Sequence, residues 1–101
     1  MIASGKARIR LFGAMADAAG KREDFVELPL GATLHSLLLM LADAYGEAFR
    51  GELMDGFDPN ALRDDVMLTV NGKIIRHERV SDTSLSRDDE IGLFPVFVAG
   101  G

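Results

Sequence analysis

The stretch VMLTVNGKII, residues 66–75, constrains the fold more than any other part of the sequence. Two runs rich in apolar and β-branched residues flank Asn71-Gly72. Asn-Gly readily adopts the two consecutive positive φ angles of a tight hairpin turn, and runs of this composition favour strands. The sequence therefore predicts an antiparallel β-hairpin here.

Two more strands and a short helix are predicted before this hairpin. Residues 6–12 alternate between charged and apolar side chains, and residues 23–28 alternate again. A period of two is typical of a half-buried strand. Pro29 ends the second strand because proline cannot donate a hydrogen bond to a β-ladder. The alanine-rich residues 13–20 between the strands can form two helical turns, so the two strands are expected to pair.

A single long helix is predicted after residue 33. Thr33 is a good N-cap, since its hydroxyl can accept a hydrogen bond from a free amide of the first turn. The apolar residues that follow have helical spacing and comprise Leu34, Leu37, Leu38, Leu41 and Tyr45. Gly46 is expected to begin the end of this main core helix.

The rest of the chain completes an α+β pattern. Residues 47–65 are expected to form a polar excursion, with a helical turn at Pro59 to Leu62, that covers an edge of the sheet. A final strand is predicted for EIGLFPV, residues 90–96. This order favours a β-grasp (ubiquitin-like) fold with a mixed sheet packed on one main helix, although other α+β folds share it. We expect one domain, residues 1–101, whose residues 97–101 form a flexible C-terminal tail.

Composition excludes several kinds of function. The chain has no cysteine, so disulfides, thiolate metal sites and a cysteine nucleophile are ruled out. A net charge of −5 argues against nucleic acid as a partner. No signal-peptide core or membrane-spanning run is found in the sequence, which predicts a soluble, cytoplasmic protein with no membrane partner.

Charged side chains offer only weak candidates for a site. Basic residues gather at Lys6/Arg8/Arg10 and at Lys73/Arg76/Arg79. Solvated strand faces are the favoured interpretation, and a patch that binds an acidic partner is the alternative. His35 and His77 are expected to be solvated. The pairs Asp64/Asp65 and Asp88/Asp89 are expected in turns, and nothing places a base beside a nucleophile or assembles a metal site.

The C-terminal third of the sequence resembles a known family. VNGKIIRHERVSDTSLSRDDEIGLFPVFVAGG, residues 70–101, resembles the end of the MoaD/ThiS sulfur carriers, and KARIRLFGAMADAAG resembles their first strand and short helix. The matching positions are Val70, Asn71, Gly72, Asp82, Thr83, Leu85, Asp89, Glu90, Phe94, Pro95, Val98, Ala99, Gly100 and Gly101. Two residues, Val96 and Phe97, separate Phe-Pro from Val-Ala-Gly-Gly, one more than is usual in the family. Chain length and the excursion are nearest to the molybdopterin synthase small subunit and the small archaeal modifiers.

The resemblance implies a function for Gly101. A partner would adenylate its carboxylate with ATP, and a sulfur donor would convert the product to a thiocarboxylate for molybdenum or tungsten cofactor synthesis. The implied partners are an adenylating enzyme of the ubiquitin-activating type, a sulfur donor and the large subunit of molybdopterin synthase. The chain would bind no cofactor itself. It would act as a carrier and as a subunit, with no catalytic side chains of its own.

The implied chemistry suits the end of the chain. Glycine has no Cβ to obstruct a narrow channel in a partner, and residues 97–101 can extend roughly 17 Å. Ordering five residues costs about 5–10 kcal/mol, so a docked face must supply affinity. Ile91 and Leu93 are expected to face the core and Phe94 to face outward. The predicted partner-binding residues are Phe12, Phe94, Pro95, Phe97, Val98, Ala99 and Gly100.

Three alternatives remain open at the level of sequence. Phe94 and Phe97 could pack beneath the polar excursion instead of facing a partner. An activated Gly101 could be attacked by lysine amines, which would make the chain a protein modifier. The domain could also be a ubiquitin-like interaction module with an inert tail, although this gives no reason for two final glycines.

Overall fold

A five-stranded mixed sheet organises the chain, of which the computed structural model describes residues 6–55 and 58–96. The elements in chain order are β1 Lys6–Leu11, α1 Gly13–Ala19, β2 Glu23–Glu27, α2 Leu34–Tyr45, α3 Glu47–Leu53, β3 Met54–Asp55, β4 Asp58–Leu62, β5 Val66–Val70, β6 Lys73–Ile75, a 3-10 helix His77–Asp82, and β7 Glu90–Pro95. The predicted order of strands and helices is confirmed, with α3 and the β3–β4 pair in addition.

The strand order in the large sheet is β2-β1-β7-β5-β6. β1 and β7 run parallel, with Leu11 opposite Leu93, whereas every other neighbouring pair in this sheet is antiparallel. The sheet is therefore mixed, as predicted, and the fold is a β-grasp. Because parallel strands point the same way, the carboxyl ends of β1 and β7 lie side by side at the same end of the sheet.

The Asn-Gly hairpin forms as predicted. Asn71 and Gly72 have φ angles of 53° and 84°, and Val70 pairs with Lys73 across the turn. Two consecutive positive φ angles define the turn type that matches the twist of paired strands. The Asn71 side chain also accepts a hydrogen bond from the Glu90 amide at 2.9 Å. The turn thus holds the first residue of β7 in place.

The helix α2 packs its leucines on one face of the sheet. Thr33 caps it, because its hydroxyl accepts from the Ser36 amide at 3.1 Å while the Ser36 hydroxyl oxygen accepts from the Thr33 amide at 2.9 Å. Opposite the helix, alternate residues of the central strands are buried, as period two requires. The core residues of these elements are Leu34, Leu37, Leu38, Leu41, Ala7, Ile9, Leu11, Leu68, Ile91 and Leu93.

The prediction for residues 47–65 was wrong in two respects. Pro59 to Leu62 belongs to strand β4, where Leu62 pairs with Met54, and does not form a helical turn. Residues 47–53 form the helix α3, which packs against α1 and α2, so this part is not a polar excursion. Phe49 and Leu53 are fully buried. Their spacing of four residues places both on one face of a helix, which explains where α3 docks.

A hydrogen bond joins the main helix to β2. The Tyr45 hydroxyl donates to Asp24 Oδ2 at 2.7 Å. This hydrogen bond lowers the pKa of the Asp24 carboxyl below its ordinary value of 3.8, against the opposing effect of burial. Burial and the same hydrogen bond raise the pKa of Tyr45 above its ordinary value of 10.0. The pair therefore favours a carboxylate facing a neutral phenol.

Replacing Tyr45 with phenylalanine removes this hydrogen bond and keeps the ring. We expect a loss of about 1 kcal/mol in the free energy of unfolding near neutral pH. The lowered pKa of Asp24 stabilises the folded state at pH values above its ordinary pKa of 3.8, and the raised pKa of Tyr45 stabilises it at pH values below 10.0. The loss should therefore be largest between pH 3.8 and 10.0. Urea unfolding of both proteins across this range checks the prediction. A difference independent of pH would contradict the assigned pair.

Candidate functional site

The two aromatic rings predicted to face a partner lie together at the end of the sheet where the interior strands β1 and β7 finish. Phe12 and Phe94 stack with their ring centroids 4.2 Å apart and their planes at 9°. Both side chains are half-buried. Ile91 and Leu93 are fully buried on the helix side, so alternation places Phe94 on the opposite face. The outward orientation predicted for Phe94 is confirmed.

A glycine makes room for the stacked rings. A Cβ at Gly92 would lie 2.7 Å from Phe94 Cε1 and 2.6 Å from Thr69 Oγ1. Real Cβ atoms do not approach other heavy atoms this closely, so the Phe94 ring occupies the space that a side chain at residue 92 would need. The glycine in β7 is therefore a packing requirement of the outer face.

Three apolar residues outside the predicted partner-binding set extend this surface. Met67 lies opposite Phe94 in the β5–β7 ladder, Ile74 of β6 is 64% exposed, and Val96 is 40% exposed. Together with Phe12 and Phe94 they form what we call the outer patch. Met67 could have been found from its alternation with the buried Val66 and Leu68. Ile74 needed the hairpin register, which places it opposite Thr69.

The end of β7 is held on two sides. The Val96 amide donates to the carbonyl of Asp65 at 2.7 Å. On the other side a Cβ at Gly13 would lie 2.7 Å from Pro95 Cγ, and Gly13 itself has a φ of 58°. Pro95 and Val96, which precede residue 97, are therefore held in place beside the outer patch.

Only part of the predicted site lies within the described residues. The structure brings Phe12, Phe94 and Pro95 together at the end of β7. The predicted partner-binding residues Phe97, Val98, Ala99 and Gly100, and the predicted reactive residue Gly101, lie outside the described residues. Their roles stay predictions.

A belt of charged side chains borders the outer patch on the same face. Arg8 contacts both Glu23 and Glu90, the latter at 3.2 Å, and Arg10 lies 3.8 Å from Glu90. These partly exposed pairs contribute little to stability. Arg76 likewise pairs with Glu78 at 3.7 Å. Three of the six basic residues in the two predicted groups are thus paired with acids of this chain, and all six are exposed, as expected for solvated faces.

Other titratable residues that were considered as candidates make local contacts with the main chain. His77 Nε2 lies 2.6 Å from the carbonyl oxygen of Val66, so it joins the 3-10 helix to β5 and is not simply solvated as predicted. Asp89 accepts from the Ser86 amide at 2.7 Å within a turn, as expected. Across residues 6–55 and 58–96, no group of three or more His, Cys, Asp or Glu side chains could hold a metal ion.

Comparison with known proteins identifies the family. The model of the ThiS family matches residues 9–101, nearly the whole chain. The chain belongs to the ThiS family. No curated protein sequence matches it. The members of this family are ubiquitin-like sulfur carriers.

Solved structures agree with this assignment. SAMP1 from Haloferax volcanii is 28% identical with a TM-score of 0.79, over 96% of this chain and 100% of that one. A putative molybdopterin converting factor subunit 1 from Pyrococcus furiosus is 30% identical with a TM-score of 0.72, over 93% and 100%. Urm1 from Trypanosoma brucei shares the fold at 17% identity with a TM-score of 0.75, over 100% of both chains. Among the described residues no helix is long and apolar enough to cross a membrane.

A substitution at Gly92 tests the close packing of the outer patch directly. Gly92→Ala forces the Phe94 ring or the Thr69 hydroxyl to move, and we expect a loss of about 1–3 kcal/mol in the free energy of unfolding. Gly51→Ala is the matched control, because none of the described residues approaches that position within 4 Å in helix α3. The control should gain about 0.5–1 kcal/mol. Equal stability of the Gly92→Ala and wild-type proteins in urea unfolding would contradict the close packing.

Proposed function

We propose that this chain carries sulfur on the carboxylate of Gly101 for the synthesis of the molybdopterin dithiolene. The observation that supports this most strongly is the outer patch, whose aromatic pair lies at the end of the strand that leads to Ala-Gly-Gly. Apolar surface of this kind on a small domain is typical of a site for another protein. The patch would hold a partner while residues 97–101 enter its active site.

The proposed chemistry has two steps, both performed by partners. A carboxylate oxygen of Gly101 attacks the α-phosphorus of ATP, pyrophosphate leaves, and an acyl-adenylate forms. A sulfur nucleophile at the oxidation level of hydrosulfide then attacks the carbonyl carbon, and AMP leaves with the oxygen. The product is a thiocarboxylate. The chain supplies the reacting carboxylate and the docking surface, and the adenylating enzyme supplies ATP and the catalytic groups.

The proposed acceptor of the sulfur is a pterin precursor bound by the large subunit of molybdopterin synthase. The likeness to the putative molybdopterin converting factor subunit 1 from Pyrococcus furiosus, at 30% identity over 93% of this chain, supports that large subunit as the partner. In this complex the thiocarboxylate sulfur would attack a carbon of the pterin precursor and displace an oxygen substituent. Water would then cleave the bond between the sulfur and the Gly101 carbonyl carbon, which leaves the sulfur on the pterin and restores the carboxylate. The same outer patch would serve the adenylating enzyme and the synthase subunit in turn, because each must receive the same end of the chain.

The thiocarboxylate can be detected directly. Intact-mass analysis of the protein, incubated with its host's adenylating enzyme, ATP and a sulfide source, should show a form in which one oxygen is replaced by sulfur. Fragmentation should place the exchange on Gly101. A variant that lacks Gly100 and Gly101 is the control and should keep its mass. Carboxylate alone in the wild-type protein under these conditions would contradict the proposed function.

The outer patch can be tested separately from the reactive carboxylate. Phe94→Ala should weaken binding to the adenylating enzyme by about 2 kcal/mol, as expected for an aromatic anchor at an interface. The free energy of unfolding should fall by only about 0.5–1.5 kcal/mol, because the ring loses its stacking on Phe12 but lies outside the helix-facing core. Leu30→Ala is the control, since Leu30 is fully exposed in the turn that follows β2. A large loss of stability in Phe94→Ala, or equal binding by both variants, would contradict this role.

Protein modification is a second candidate function. The small archaeal modifier protein SAMP1 from Haloferax volcanii, at 28% identity and a TM-score of 0.79, supports it. Adenylation would be the same, and a lysine amine would then attack the carbonyl carbon to form an isopeptide. Blots for a tagged form of the chain, expressed in its host, distinguish the two fates. Higher-mass bands that require Gly101 support modification, and thiocarboxylate without such bands supports sulfur transfer alone.

A further inference from the structure

A cavity of about 400 Å³ opens beside the outer patch, at the corner where β1 leads into α1. Its lining includes Arg10, Phe12, Gly13, Ala16, Asp17 and Arg22. The backbone of this corner is fixed, because the Leu11 amide donates to the carbonyl of Arg22 at 2.9 Å. The main chain of Arg22 thus holds the corner together, and Arg22 is also an exposed residue of the cavity lining.

The cavity carries an excess of positive charge in a chain whose net charge is −5. Its lining includes two arginines, Arg10 and Arg22, and one acid, Asp17. Arg22 has no ion-pair partner among the described residues. The acid nearest to Arg10 is Glu90 at 3.8 Å, and Arg8 already contacts that carboxylate at 3.2 Å. Both arginines of the cavity thus keep donors for an additional acceptor.

The cavity is continuous with the surface proposed to bind the adenylating enzyme. Phe12 belongs to both, since it lines the cavity and stacks on Phe94. Gly13 lines the cavity and lies against Pro95, the last residue of β7. A protein that covers the stacked rings and takes up residues 97–101 must therefore pass over the mouth of the cavity.

We propose that the cavity receives a glutamate or aspartate side chain of the adenylating enzyme. This inference rests on the proposed function and names the chemistry of one contact within it. A guanidinium group offers paired donors that match the two oxygens of a carboxylate. Phe12 and Ala16 provide apolar wall for the methylene groups of such a side chain. The outer patch supplies apolar contact, and the cavity fixes the rotation of the carrier on its partner.

Steady-state kinetics of ATP–pyrophosphate exchange, catalysed by the host's adenylating enzyme with this chain as substrate, test the contact. Arg22→Glu should raise the KM for the carrier about tenfold at low salt and leave the maximal rate unchanged, because charge at an interface acts mainly on encounter and orientation. Arg22→Gln should have a smaller effect of the same sign. The difference between wild type and Arg22→Glu should shrink as salt rises, since screening weakens exposed charge pairs.

Arg87→Glu is the matched control, because it changes the net charge by the same amount. Arg87 is exposed in the turn before β7. The amide of the next residue, Asp88, donates to the carbonyl of Lys6 at the start of β1, which is the end of that strand away from the cavity. A KM for Arg22→Glu equal to that of the wild type or of Arg87→Glu overturns the docking proposal, while exchange by the wild type keeps the proposed function. If the wild type supports no exchange, the proposed function is contradicted and the docking proposal falls with it.

Discussion

The parallel pairing of β1 with β7 is the interaction on which the rest of the structure depends. It joins the first and the last described strands at the centre of the sheet, with Ile9 opposite Ile91 and Leu11 opposite Leu93. All four side chains are buried against the helices. Because the strands are parallel, Phe12 and Phe94 emerge at the same edge and can stack. An antiparallel pair would place these two rings at opposite ends of the sheet.

β7 has two roles because its two faces differ. Ile91 and Leu93 complete the core on one face, while Gly92 and Phe94 form the other. Ladders on both sides hold the strand, and the Asn71 side chain fixes its first residue. Because these hydrogen bonds hold β7 along both sides, its outer face and its carboxyl end have defined positions. The core therefore determines where a partner would meet the chain and where residues 97–101 begin.

Local signals explain which parts of the structure could be predicted from the sequence. The Asn71-Gly72 turn, the Thr33 cap and the alternation in β1 each act within a few residues, so the hairpin, the main helix and the strands followed from them. α3 and β4 did not, because Phe49 and Leu53 are separated by charged residues and because pairing with Met54 places Leu62 in a strand after a proline. Here tertiary contacts override local preference.

Local signals also explain which residues of the candidate site could be predicted. Alternation was enough to place Phe94 outside the core and to suggest Phe12 beside it. Met67 and Ile74 join the outer patch only through cross-strand register, which the sequence does not state. Arg22 reaches the cavity because a hydrogen bond to Leu11 folds the segment after α1 back onto β1. Contacts between distant segments, rather than composition, determine these neighbours.

The geometry also limits how a partner can approach. Residues 97–101 follow Val96 at the edge of the sheet, and extending them into a channel costs about 5–10 kcal/mol in backbone entropy. Contacts that offset this cost must lie close to Val96, since five residues span only roughly 17 Å. The outer patch and the adjoining cavity meet this condition, whereas the turn at Leu30 follows the opposite end of the β1–β2 ladder. A partner that bound only at that turn would leave the cost of ordering residues 97–101 without nearby compensation.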